Sequence, residues 1–139
     1  MSDPGDVGQG SDFGADLYEL LRTGWVDFPA LSLRWWEFAT DADVADAQVR
    51  ANAGRLGGAG DRLVSDMVDL GVDLQRALGD TTTSLRDTGT ALVQIAQDYA
   101  ATDAAAQAQF DHLRLDDADE FATPPVVVPD PPVPGGDRS

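Results

Sequence analysis

The chain contains no cysteine, so neither a disulfide nor a thiolate metal ligand is available to it. It contains no lysine either. All 9 basic residues are arginine, set against 25 acidic ones, and the formal net charge is −16. A chain this acidic repels nucleic acid and anionic membrane surfaces, because both are bound through positive patches. Glutamate occurs only at Glu19, Glu37 and Glu120. The single histidine, His112, has no second histidine or cysteine with which to share a metal ion. No run approaches the roughly 18 uninterrupted apolar residues of a membrane span, so no membrane insertion is expected. Residues 1–12 are rich in glycine and aspartate and lack the positive start and apolar core of a secretory signal. Export, if it occurs, is expected to read something other than an N-terminal signal.

Catalytic constellations are also missing. Asp41, Asp43 and Asp46 lack the glycine and closing glutamate of a calcium loop and read as negative charges at a helix N-terminus. Gly57-Gly58-Ala59-Gly60 lacks the lysine and hydroxyl residue of a phosphate loop. The serines and threonines have no base beside them. The sequence offers no catalytic residue, no cofactor site and no metal site, and it reads as non-enzymatic.

What is present is helical patterning. Hydrophobic residues make up 42% of the 139, enough for one modest core. Val49, Leu56, Leu63 and Leu70 recur every seven residues, with Ala53, Gly60, Met67 and Leu74 as a companion row. Alternating steps of four and three describe a helix with one narrow apolar seam. Leu78, Leu85, Leu92 and Tyr99 continue at the same spacing after a one-residue slip near Ala77 and Leu78. Just beyond the slip, Gly79-Asp80-Thr81-Thr82-Thr83 combines a helix stop with N-cap residues. A break there gives helices over 41–78 and 83–118. A competing break lies at Gly57–Gly60, where three glycines each cost about 1 kcal/mol inside a helix. Shorter helices are expected over 13–22 and 30–38, behind a flexible leader at 1–12.

The fold expected for residues 13–119 is therefore all-α: an antiparallel helical hairpin with short N-terminal helices packed on it. Leu63, Leu70, Leu92 and Ile95 are its expected core. Residues 120–139 carry all but two of the eight prolines and are expected to be a disordered, extended tail. Trp25, Phe28, Trp35, Trp36 and Phe38 hold five of the ten aromatic side chains within fourteen residues. A small hairpin cannot hide them all, which makes them the candidate partner-binding patch.

The most specific local feature is Tyr99-Ala100-Ala101-Thr102-Asp103. On a continuous helix it sets a phenol and a carboxylate on one face, one turn apart. Together with Leu85-Arg86-Asp87-Thr88-Gly89-Thr90-Ala91-Leu92 before it, and with Val49 to Leu56 and Asp61-Arg62-Leu63 further upstream, it resembles the Esx-like (WxG-type) and Esp-like helical proteins of actinobacterial type VII secretion. The likeness covers about half the chain. It departs from that family in two ways. Trp25-Val26-Asp27 and Trp36-Glu37-Phe38 lack the Trp-x-Gly glycine, and the helical pattern runs on past Asp103 to Leu115. The resemblance implies a non-enzymatic secreted substrate, or substrate partner, that is cytoplasmic before export. It implies that the chain pairs with another small helical protein, as a hetero- or homodimer. It also implies that Tyr99 and Asp103 are presented as an export signal to the secretion ATPase or a chaperone. The alternative is a cytoplasmic acidic helical adaptor or chaperone that acts by protein–protein interaction.

Overall fold

The computed structural model describes the backbone of residues 4–55 and 57–134, and side-chain burial from Asp12 onward except at position 59. Leu56, one of the expected seam residues, lies outside the described residues, as do residues 1–3 of the expected leader. The fold is all-α, with no strand among the described residues. Its helices are α1 (Pro4–Arg22), α2 (Phe28–Asn52), α3 (Asp61–Ala100), α4 (Ala104–Asp116) and α5 (Ala118–Ala122). Where a leader was expected at 1–12, residues 4–12 already belong to α1.

α1 ends at Arg22 without a break in the helical chain. Thr23–Asp27 forms a π-type turn in which the Phe28 N–H reaches the Thr23 carbonyl, and the chain continues as α2. Pro29 follows within this continuous helical run, and having no N–H it cannot donate to the preceding turn, a recognised cause of local helix irregularity such as the π-type turn beside it. The expected helices 13–22 and 30–38 are thus parts of longer ones.

The interhelical turn lies at the competing break. Gly57 has φ of +66°, a conformation that only glycine adopts without strain, and short 3₁₀ turns flank it at Ala53–Arg55 and Gly58–Gly60. The expected break at Gly79–Thr83 does not form. There Thr81 and Thr82 turn their hydroxyls back to the Ala77 and Leu78 carbonyls, both at 2.8 Å. Those bonds to the preceding turn let threonine sit inside a helix. Nor does a helix run unbroken through 83–118: it ends at Ala100 and restarts at Ala104.

Two compact units are distinguished, both fed by α2 and α3. The first comprises residues 1–30 and 86–127. Leu17, Tyr18 and Leu21 from α1, Ala96 and Ala100 from α3, and Ala106 and Phe110 from α4 form its buried cluster. Gly24 lies against Gly89 and Phe13 against Tyr99, so α1 runs antiparallel to this end of α3. Tyr18 meets Asp117 and Arg22 meets Glu120, so α1 runs parallel to α4 and α5. The result is an up–down–up three-helix arrangement with small residues at its crossings.

The second unit comprises residues 31–85 and 128–139. Ser32 Oγ donates to the Thr82 carbonyl at 2.7 Å, Gln75 Nε2 donates to Asp43 at 2.8 Å, and Asp46 lies beside Gly71. Numbers rise along α2 as they fall along α3, so the two helices are antiparallel here. Their shared seam mixes apolar with polar residues. Ser32, Asp46, Gln75 and Thr82 are buried, and no protein group donates to Asp46 Oδ1 or Gln75 Oε1. Asp46 Oδ2 is held by Arg50 at 2.8 Å. Asp41, Asp43 and Asp46 stand within α2, away from any helix start.

The expected core does not match the observed one. Leu63 is 57% exposed, Leu70 is 70% exposed and Ile95 is also exposed, while Leu92 is half-buried. The turned-in row of α3 is one residue along. Val64, Val68, Gly71, Gln75, Leu78 and Thr82 are buried or half-buried, at the same alternating steps of four and three. The register slip near Leu78 is not a chain break. It is the point where leucine passes from the outer row to the inner one.

Candidate functional site

Tyr99 and Asp103 occupy the corner between α3 and α4 rather than one helix face. The Ala101 N–H bonds the Gln97 carbonyl at 3.1 Å, and both the N–H and the hydroxyl of Thr102 reach the Tyr99 carbonyl. These bonds close α3. Asp103 then adopts an extended conformation, with φ −130° and ψ 117°, as the N-cap of α4. Its Oδ1 accepts from the Ala105 and Ala106 N–H groups, both at 3.0 Å. Aspartate suits this position because the first amides of a helix have no partner within it. The cap uses Oδ1 alone, which leaves Oδ2 of an exposed residue for another donor. Tyr99 is 56% exposed instead of lying in the seam, and its ring stands edge-on to Phe13 with 6.4 Å between centroids. The corner therefore presents a phenol and a carboxylate on the surface through a turn. The signal for that turn was Thr102-Asp103 ahead of three alanines, an N-cap pattern within what otherwise reads as one helix.

The five aromatic residues are divided between the two units. Trp25 and Phe28 belong to the first unit, and Trp35, Trp36 and Phe38 to the second. Trp25 packs edge-on to Phe121 at 6.0 Å, and its indole N–H donates to the Thr123 carbonyl at 3.1 Å. Trp36 donates in the same way to the Asp130 carbonyl at 3.2 Å. Trp35 and Phe38 pack edge to face at 5.8 Å, and Phe38 stays exposed.

These indole bonds revise the expected tail. The helical chain extends to Ala122, and residues 124–133 are non-helical, as their prolines dictate. Yet Val128 is buried and Pro131 lies against Gly79. An extended, proline-rich segment exposes carbonyls that lack partners of their own, and an indole N–H is a natural donor to them. Two of the five candidate partner-binding side chains are thus engaged by the chain's own C-terminal segment.

Among the described residues Tyr18 is the strongly perturbed acid. Burial, followed by its hydrogen bond to Asp117 and the charges of Asp117 and Glu120, pushes its phenol up to about 12. Arg22 Nε reaches Glu120 at 3.3 Å alongside. Both contacts join α1 to the α4–α5 end of the chain, and their setting is structural. His112 pairs with Asp116 at 3.5 Å. Among the described residues no group of acids or histidines is arranged to hold a metal ion, and no helix is long and apolar enough to cross a membrane.

Sequence reading missed the surface that stands out most. Leu63, Met67, Leu70 and Leu74, expected to face inward, form an exposed row on α3. Beside it Ala45, Val49, Val64 and Met67 line an open groove of about 510 Å³. No family model, no curated protein and no solved structure matches this chain.

Proposed function

We propose that this chain is a non-enzymatic helical substrate, or substrate partner, of a type VII (ESX-like) secretion system, and that Tyr99 and Asp103 form its export signal. The observation that carries the reading is the α3–α4 corner. There Tyr99 is exposed and Asp103, held by its capping bonds, keeps a carboxylate oxygen available. Two further features support it. α2 and α3 are joined through the turn at Gly57–Gly60 and Tyr99 lies at the end of α3, although α4 and α5 carry the helical chain on past Asp103, beyond where the family that the sequence resembles ends its hairpin. The apolar row on α3 offers a face for a second small helical protein, the partner with which such substrates travel. On this reading the protein is cytoplasmic before export and secreted afterwards, and it needs no cofactor.

The experiment is detection of the protein outside cells that carry an active type VII system and the chain's own neighbouring genes. Export that depends on that system supports the reading. Complete retention in the cytoplasm removes it. It would favour the acidic adaptor, for which the aspartate-rich face of α3 is the supporting observation.

A further inference from the structure

We propose that the outer face of α3 between Leu63 and Leu74 docks an amphipathic helix of another protein, and that this helix carries arginine or lysine along the flank of its apolar seam. The inference rests on the helical-partner part of the reading above and not on export.

The first observation is the spacing. Leu63, Met67, Leu70 and Leu74 follow one another at steps of four, three and four, and each is exposed. Single exposed leucines are ordinary, but an aligned row of four large apolar side chains is not. This is the spacing with which one helix offers a seam to another.

The second observation is what the unit buries without a partner. In residues 31–85 and 128–134 the buried positions are Ser32, Ala39, Asp46, Gln75, Gly79, Thr82 and Val128. No large aliphatic or aromatic side chain of α2 or α3 is among them. A two-helix layer normally turns its apolar stripe inward to gain stability from burial. Here the more apolar stripe faces out, while the inward row mixes half-buried Val64, Val68 and Leu78 with Gly71, Gln75 and Thr82, so a third helix on the outer face would supply a fuller apolar layer.

The third observation identifies the occupant. One edge of the stripe is the row Val64, Gly71 and Leu78, which turns toward α2. The other edge is the exposed row Arg62, Asp66, Asp69, Asp73, Arg76 and Asp80, in which four carboxylates outnumber two guanidinium groups. A docked helix therefore meets a net acidic edge along its solvent flank, with Asp66, Asp69 and Asp73 consecutive in the row. Basic residues at matching spacing complement that edge. A second copy of this chain would bring its own aspartates to the same edge, on a body that already carries a net charge of −16. The charge row selects a different chain.

The test uses the full-length protein and a labelled peptide of residues 61–84 carrying Asp66→Lys, Asp73→Lys and Asp80→Lys. The unsubstituted peptide serves as control, and binding is read by fluorescence anisotropy. The basic peptide should bind at least about tenfold more tightly than the control, with the gap closing as salt screens the charges. Leu70→Gln in the full-length protein should abolish binding while leaving helical content and melting temperature unchanged, because the position is exposed. Absence of binding by the basic peptide, or undiminished binding to the Leu70→Gln protein, overturns the proposal. Equal or tighter binding of the control peptide, or dimerisation of the protein alone, overturns the choice of occupant and makes the stripe a self-association surface. Export is not read in this experiment, so its failure is distinct from failure of the secretion reading.

Discussion

Gly24 and Gly89 bring α1's π-type turn and α3 into backbone contact: a methyl group on Gly24 would lie 2.6 Å from the Gly89 carbonyl oxygen. The obstruction is main chain, so no side-chain rotation relieves it. Gly24→Ala should destabilise the protein by about 1–3 kcal/mol, the usual range for overpacking a tight site. Gly54→Ala is the control, since nothing lies near that position. Chemical denaturation of the two variants side by side gives the comparison, and equal midpoints would show that the crossing is looser than described.

The helical register makes a second prediction. Leu21 is 1% exposed and belongs to the buried cluster of the first unit. Leu21→Ala should cost about 2–5 kcal/mol. Leu70→Ala, on the outer row of α3, should cost less than about 0.5 kcal/mol beyond its small change in helix propensity. A large loss at Leu70 in the isolated protein would mean that the outer row is the buried one.

The C-terminal segment is held in part by two indole N–H bonds. Trp36→Phe keeps an aromatic ring, smaller than the indole, and removes the bond to the Asp130 carbonyl. It should cost about 0.5–1.5 kcal/mol, the net worth of one hydrogen bond. The measured signature is local. Amide exchange and protease cutting should rise over residues 128–134 with little change in overall helicity. Equally fast exchange there in the parent protein would show that the segment is not docked.

Stability should also depend on alkaline pH through Tyr18. Its phenol is raised from an ordinary 10.0 to about 12 in the folded protein. The contribution is therefore complete below pH 10 and is lost as pH climbs toward 12, because the unfolded chain ionises first. Tyr18→Phe should flatten that part of the stability–pH curve and lower stability at neutral pH. An unchanged alkaline slope in Tyr18→Phe would assign the loss to other groups.

The helical class and the seven-residue periodicity were legible in the sequence, because composition and spacing act locally. The inward row was not. Outer and inner rows of α3 share one period and differ by a single residue, about 100° around the helix. The outer row, with Leu63, Met67, Leu70 and Leu74, is the more apolar, so pattern alone picks the wrong face. The choice between Gly57–Gly60 and Gly79–Thr83 was open for a similar reason. Threonines 81 and 82 are cap residues by type, and only their bonds to the preceding turn reveal them as helix interior. Tyr99 and Asp103 were singled out by residue type and spacing, while the turn between them hid behind the surrounding alanines. The docking of the proline-rich segment depends on Trp25 and Trp36, some hundred residues away in sequence, and nothing local announces it.

The central claim is that Tyr99 and Asp103 are read by an export apparatus, and Asp103 makes the decisive measurement possible. Asp103→Ala removes the α4 cap and should cost about 0.5–2 kcal/mol, so loss of export in that variant proves little. Asp103→Asn retains a capping oxygen and removes the charge. Tyr99→Phe retains the ring that meets Phe13 and removes the hydroxyl. The measurement is the extracellular fraction of parent, Asp103→Asn and Tyr99→Phe proteins in a host with an active type VII system and the native neighbouring genes, with intracellular level and thermal stability recorded for each. The account predicts that the parent is exported. It predicts that at least one of the two conservative variants accumulates inside at parental stability. Export of both variants at the parental level would contradict it.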